Sequence, residues 1–441
     1  MTLIELGYVD ADSAAPPDPP LDRGLTRRVG VAIVLVLCLA TLTASVRPTP
    51  HGLVLLWSIP TETEANFAVA GDSVFVLGGP NGQTLTGYAL TDGRKRWSRE
   101  LPDPVPYIDA SDSHVLLLPT GQREVSFGNN GGSQDFYTET VALDAGTGIE
   151  LWRSPGSGSG WAATGTALLE DGTPDGGGTA RLRLVRLADG APVWSRETPG
   201  VQKWITLGAD PDHPDRVATV TGDGDVHVLR LADGTDTAGG TVEWDVGSPA
   251  VGDYIDLAAD GDALYVLRTT RYRSTATAYS AFTLRRLWTA EQPGGTGAYP
   301  CGAVLCIGGD DELFGYDWAT GAVRWRARGQ AYAMTSGHDL LLAEGGAGVH
   351  SLLLDDATGR RIADLGSTRP TWNKHGDSVI TLGSSQTPTG RTVVREVDPR
   401  SGETFLLGTM DPVADQGCTL ADRFLLCTTL LQGRLTVTAV G

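Results

Sequence analysis

The phrase VALDAGTGIELW, Val141 to Trp152, returns in looser copies along the chain: YALTDGRKRW (Tyr88 to Trp97), VRLADGAPVW (Val185 to Trp194) and YDWATGAVRW (Tyr316 to Trp325). Each copy is an alternating apolar run, a turn rich in Asp and Gly, and a second run ending in Trp. Repetition constrains a chain severely, because a unit that cannot bury its apolar face alone must stack on its neighbours. Trp57, Trp97, Trp152, Trp194, Trp244, Trp288 and Trp325 recur at intervals of 37 to 55 residues, and two degenerate copies follow around Ala363 and Leu406. After Trp194 come KWITLG, DRVATVTGD, DVHVLRLADG and TVEW, four short runs separated by turn residues. Four antiparallel strands in roughly 40–50 residues predict a propeller blade. In the turn, Asp144 and its expected counterparts Asp92, Asp189 and Asp233 accept backbone N–H groups. The Gly supplies positive φ, and the Trp covers the seam between neighbouring blades.

These phrases resemble the YALDAxTGxxxW repeat of quinoprotein-type β-propellers, including the single-span, quinone-repeat-like propellers of actinobacteria. The resemblance runs over nearly all of residues 52 to 441. It implies an all-β propeller of four-stranded antiparallel blades over 57–441, eight in number within a range of seven to nine. LVLLWSIP (Leu53 to Pro60) is expected to complete the last blade as a clasp. The repeat occurs in pyrroloquinoline-quinone dehydrogenases and in cofactor-free scaffolds. Dehydrogenases of this fold use adjacent cysteines stacked on the cofactor and a carboxylate-bound calcium. No CC pair exists here, so no cofactor is expected. The chain lacks GxSxG, a P-loop and HExxH, and DPDHPD (Asp210 to Asp215) and TGDGDVH (Thr221 to His227) lack EF-hand spacing, so no metal is expected either.

Residues 1–28 form a polar, Pro-containing tail that cannot fold alone. Val29 to Val46 is an eighteen-residue run without charge, near the short end of a bilayer span. Arg23, Arg27 and Arg28 precede it, which predicts a transmembrane helix over 29–46 with a cytoplasmic N-terminus, a linker over 47–56, and an extracytoplasmic propeller. A cleaved signal peptide is the alternative. The net charge of −19 argues against nucleic-acid binding. In an oxidising compartment, Cys301 with Cys306 and Cys418 with Cys427 read as two disulfides across hairpins, with bare thiols as the alternative.

Aromatics open the first run of most repeats: Phe67, Tyr107, Trp161, Trp204, Tyr254, Tyr299, Tyr332 and Trp372. First strands line a propeller's channel, so these side chains are expected near one mouth, with packing between blades as the competing role. Insertions at 119–140, 171–178, 268–277 and 383–391 join second to third strands and project from that same face. One of them carries Arg271, Tyr272 and Arg273, residue types common at contact hot spots. The expected function is a membrane-tethered binding or scaffold module for envelope proteins or polymers, without catalysis. The alternatives are a quinone-dependent dehydrogenase and a sugar- or polymer-binding sensor.

Overall fold

In the computed structural model the described residues are 52–441, apart from 62–65, 80–81, 111–113, 128–131, 162–163, 175–176, 209, 211–212, 245–253, 271, 294–296, 309–311, 331, 336–339, 345–349, 374–378 and 431–432. The apolar run 29–46 lies outside them. No helix among the described residues is long and apolar enough to cross a membrane.

Every described element is a strand, and the sheets are antiparallel except for one short parallel pairing, of Trp372–Asn373 with Thr419 and Leu420. Strands A to D, in chain order, lie side by side in each unit. Unit 1 covers 67–100, unit 2 107–155, unit 3 157–198, unit 4 201–241, unit 5 254–293, unit 6 297–328, unit 7 332–366 and unit 8 369–410. In unit 2, strand A is reduced to a bridge between Asp109 and Leu117. Units 3 and 4 share one seven-stranded sheet, because Pro192–Leu207 serves as strand D of the first and strand A of the second. Unit 9 takes strands A to C from 413–440 and strand D from Leu53–Pro60, which pairs with Arg434–Val440. The described residues thus hold nine units, one more than the resemblance implies. The clasp strand Leu53–Pro60 lies where the sequence places it and overlaps residues 53–56 of the expected linker, with Leu53 paired to Val440.

The core is segmented. Each of nine buried apolar clusters joins two consecutive units, and one joins unit 9 back to unit 1 through Phe424, Leu426, Leu435 and Val437 against Val74, Val76 and Leu90. At about 25 cal/mol per Å² of apolar surface removed from water, such faces are what holds each unit to its neighbour.

The repeated phrase builds the seam. The turn between strands C and D closes with Gly148 N–H donating to the Asp144 carbonyl at 2.8 Å, and Gly148 sits at φ 71°. Trp97, on strand D of unit 1, lies flat against that turn: a Cβ on Gly148 would fall 2.5 Å from its ring. Its Nε1 donates to the Ala145 carbonyl at 2.9 Å. The same bond runs from Trp57 to Leu90, Trp152 to Leu187, Trp194 to Leu231, Trp288 to Trp318 and Trp325 to Asp356, at 2.6 to 3.0 Å. Each ring thereby gains burial and satisfies its one donor on the next unit.

Three seams depart from this, and two expectations are corrected with them. Trp244 is not an anchor. It lies six residues beyond Ala238, which pairs with Val228 where other units place Trp, and its Nε1 donates to Gln202 Oε1 at 3.1 Å. In unit 5, Leu284 occupies the turn position of Gly148 at φ 52°, a conformation that costs a non-glycine residue about 1–2 kcal/mol. The size exchange is mutual: Leu284 packs over Gly240 of unit 4, whose added Cβ would lie 3.1 Å away. At the other two departures, Ala363 and Leu406 take the Trp position.

The turn aspartates also fall into two classes rather than one. Asp144, Asp317 and Asp355 stand four residues before the glycine, and each accepts from the N–H and hydroxyl of a Thr three residues on. Asp92, Asp189 and Asp233 stand immediately before it and accept from the N–H two residues on.

Both disulfides are present. Cys418 and Cys427 are direct ladder partners, with Cα atoms 4.1 Å apart. Cys301 and Cys306 are offset, since Cys301 pairs with Val304 and Cys306 with Tyr299, and their Cα atoms stand 5.6 Å apart.

Candidate interaction surface

In an antiparallel unit the B–C hairpin and the start of strand A lie at the same end. All four insertions are B–C connections, as expected. The largest is a ribbon of Val115–Phe127 paired with Gly132–Asp144. It leans on the neighbouring unit, where Arg123 Nη2 donates to the Thr173 carbonyl at 2.8 Å. The hairpin of unit 5 is tight, with Thr270 paired to Arg273. Tyr272 at its tip is 75% exposed, and Arg273 forms an ion pair with Glu291 at 3.2 Å. Arg271 lies outside the described residues.

Ladder register decides where the aromatics stand, and it does not put them at one height. Trp161 pairs with Thr166, the first residue of strand B, at the end away from the insertions. Trp204 pairs with Thr219 in mid-strand. Tyr254 pairs with Thr269, the seventh residue of Ala263–Thr270, close to the insertion end. At about 3.3 Å per residue, six positions separate the extremes by roughly 20 Å. A single rim is therefore not formed.

Two groups result. Trp161 and Trp204 are half-buried against the cluster shared by units 3 and 4, and Trp204 Nε1 donates to Glu170 Oε2 at 2.7 Å. These two are packing residues. Tyr254, Tyr299 and Tyr332 make a strip across units 5 to 7. The rings of Tyr299 and Tyr332 lie 4.8 Å apart, and a Cβ on Gly297 would fall 2.7 Å from the Tyr254 hydroxyl. Ala333 N–H donates to the Tyr299 hydroxyl at 2.8 Å, while burial pushes that hydroxyl's pKa well above the ordinary tyrosine value. Tyr254 and Tyr332 keep 48% and 42% of their surface exposed. Tyr107 is 46% exposed, and its hydroxyl is raised by burial, then by the nearby Asp109 and Tyr137 of the ribbon. Trp372 pairs in parallel with Thr419 of unit 9. The signal that separates them is the distance from each aromatic to its A–B turn, since Trp161 pairs five residues on, with Thr166, and Tyr254 fifteen residues on, with Thr269.

Among the described residues no group of three or more His, Cys, Asp and Glu is placed to hold a metal ion.

Residues 54–203 match a family model described as outer membrane protein assembly factor BamB. No curated protein matches the sequence. Among solved structures, BamB from Moraxella catarrhalis is 15% identical, with 88% of this chain and 99% of that chain covered and a TM-score of 0.48. A eukaryotic initiation factor is 10% identical, with coverage of 82% and 98% and a TM-score of 0.54. The computationally designed Ika8 protein is 13% identical, with coverage of 88% and 99% and a TM-score of 0.45. At 10% identity the likeness to the initiation factor is one of fold. The chain is an all-β repeat protein that is similar, over residues 54–203, to the PQQ-like β-propeller family.

Proposed function

We propose that the chain is a nine-bladed propeller, tethered outside the cell membrane by residues 29–46, that binds other proteins and performs no catalysis. What supports this binding face is that the long B–C ribbon, the exposed Tyr272 tip and the half-exposed Tyr254 and Tyr332 all stand at or near the B–C end of their own units, with Tyr299 packed beside Tyr332. Tyrosine supplies large, rigid contact area at low entropic cost. The matching family model is described as an assembly factor, which favours a protein partner over a polymer. The two disulfides suit an oxidising compartment.

The test is site-specific photocrosslinking in native membranes from Tyr254 and Tyr272. A discrete protein adduct at both positions is expected, lost when Tyr332 is replaced by Ala. Adducts equally abundant from Ile149, exposed in the C–D turn of unit 2, would show that the face is not special. Turnover of an alcohol or sugar with added pyrroloquinoline quinone and calcium would overturn the non-catalytic reading. A mature N-terminus near Val46 would overturn the tether.

A further inference from the structure

Several departures from the repeat meet at the end of the units opposite Tyr254, around the seam between units 4 and 5. Unit 4 has Ala238 in place of the anchoring Trp, and unit 5 has Leu284 at φ 52° in place of the turn glycine. At the tip of that turn stands Phe282, 58% exposed, where five other units place Gly146, Ala188, Ala232, Ala319 and Ala357 and two place Thr91 and Arg400. Beneath its ring, 4.9 Å from the centroid, lies the guanidinium of Arg216. Arg216 opens strand B of unit 4 and is only 7% exposed. Its Nε donates to Asp215 at 3.1 Å and its Nη2 to Asp262 of unit 5 at 2.7 Å. Its Nη1 has no hydrogen-bond partner.

This arginine lines a cavity of about 660 Å³ whose other walls include Leu184, Val193, Pro214 and Leu231. That volume is within the range of small-ligand sites, roughly 300–1,000 Å³. A buried N–H without a partner favours an incoming acceptor. The acceptor's charge follows from the surroundings. Asp215 and Asp262 outnumber the Arg216 guanidinium, and the cavity's other cation, Arg230, is already paired with Asp233 at 2.9 Å, so a third anion would be repelled, whereas a neutral carbonyl would not. The walls are apolar over most of their area, with Thr164, Thr166, Thr237 and Arg230 among them, and Phe282 lies over the buried guanidinium, so that an entering group reaches Nη1 only when the ring turns aside.

We propose that this cavity binds an uncharged apolar segment of a partner protein, an aromatic or aliphatic side chain entering beside Phe282 while its own peptide carbonyl accepts from Arg216 Nη1. The site is independent of the tyrosine strip and lies at the other end of the units.

The test uses the purified full-length chain and three probes followed by ligand-observed NMR: N-acetyl-phenylalanine amide, N-acetyl-phenylalanine with its free carboxylate, and glucose. The amide is expected to bind, the carboxylate at least tenfold more weakly, and glucose not at all. Val193→Trp fills the cavity from its exposed wall without touching the arginine or its ion pairs. It is expected to keep the melting temperature and abolish amide binding. Arg216→Gln is expected to weaken the amide at least tenfold, and Val193→Trp covers the case in which that variant fails to fold. Unchanged amide binding in Val193→Trp, carboxylate binding as tight as the amide, or no amide binding to the native chain would each overturn the proposal.

Discussion

The seam between units 1 and 2 and the seam between units 4 and 5 solve one packing problem with opposite choices of size. In the first, the large group is Trp97 on strand D and the small one is Gly148 in the facing turn. In the second, strand D offers Ala238 and Gly240, and the turn supplies Leu284 and Phe282. The first arrangement fixes its indole by a hydrogen bond. The second has no equivalent bond and holds Leu284 at positive φ. Volume can be exchanged across such a contact, but the hydrogen bond cannot be exchanged with it.

The largest expected effect is at a sealed seam. Trp194→Ala removes a 91%-buried ring and its bond to Leu231, and should cost about 3–5 kcal/mol in denaturant unfolding. A loss below about 1 kcal/mol would mean that the rings only cover seams held by other contacts. The exchange itself can be tested by a double-mutant cycle. Ala238→Trp should destabilise by about 1–3 kcal/mol through overlap with Leu284. Adding Leu284→Gly should recover most of that, with a coupling energy of about 1–3 kcal/mol. Additive costs would refute the reciprocal fit.

A smaller contrast separates the turns. Asp144→Ala loses two short bonds to Thr147 and should cost about 1 kcal/mol. Ser280→Ala, in unit 5, loses only contacts of 3.4 Å and should cost about 0.5 kcal/mol or less. The smallest effect is in pH. Hydrogen bonds from Thr320, then Arg324, hold Asp317 below the usual carboxylate range, and those from Thr235, then Arg230, do the same for Asp233. A depressed folded pKa means stabilisation that is present above the ordinary value and lost as pH falls below it. Hydrogen exchange at Thr320 and Thr235, corrected for intrinsic rates, should therefore lose protection between about pH 4 and pH 2. Thr283, whose turn has Ser280 in place of an acid, should not. Equal loss at all three would assign the change to global unfolding.

The sealed seams were legible in the sequence, as were the unsealed ones at Ala363 and Leu406, but the one at Ala238 was not, for a physical reason. A Trp four residues after a turn glycine is conspicuous, whereas Ala238 in the same place is silent, so the count passed to Trp244. The clasp was legible because LVLLWSIP has a strand's pattern and a Trp of its own. The tyrosine strip was only half legible. Residue type marks Tyr254, Tyr299 and Tyr332, but Trp161 and Trp204 carry the same mark and are packing residues. Strand register decides between those roles, and it is set by each A–B hairpin, whose turn carries no conspicuous residue of its own. Arg216 carried no signal, since its importance lies in the partner that its Nη1 lacks.

The pairing of Leu53 with Val440 has a consequence in time. A ribosome delivers the clasp strand first and its ladder partner last. Bringing ends separated by nearly the whole domain together carries a loop-closure cost of about 5 kcal/mol by the logarithmic rule, and contacts of such separation form slowly. Until residue 440 emerges, Val74, Val76 and Leu90 of unit 1 have no Phe424, Leu426, Leu435 or Val437 to cover them. The nascent chain therefore carries an open apolar flank throughout synthesis, and the interval before closure is when it is most exposed to aggregation and has most need of a chaperone.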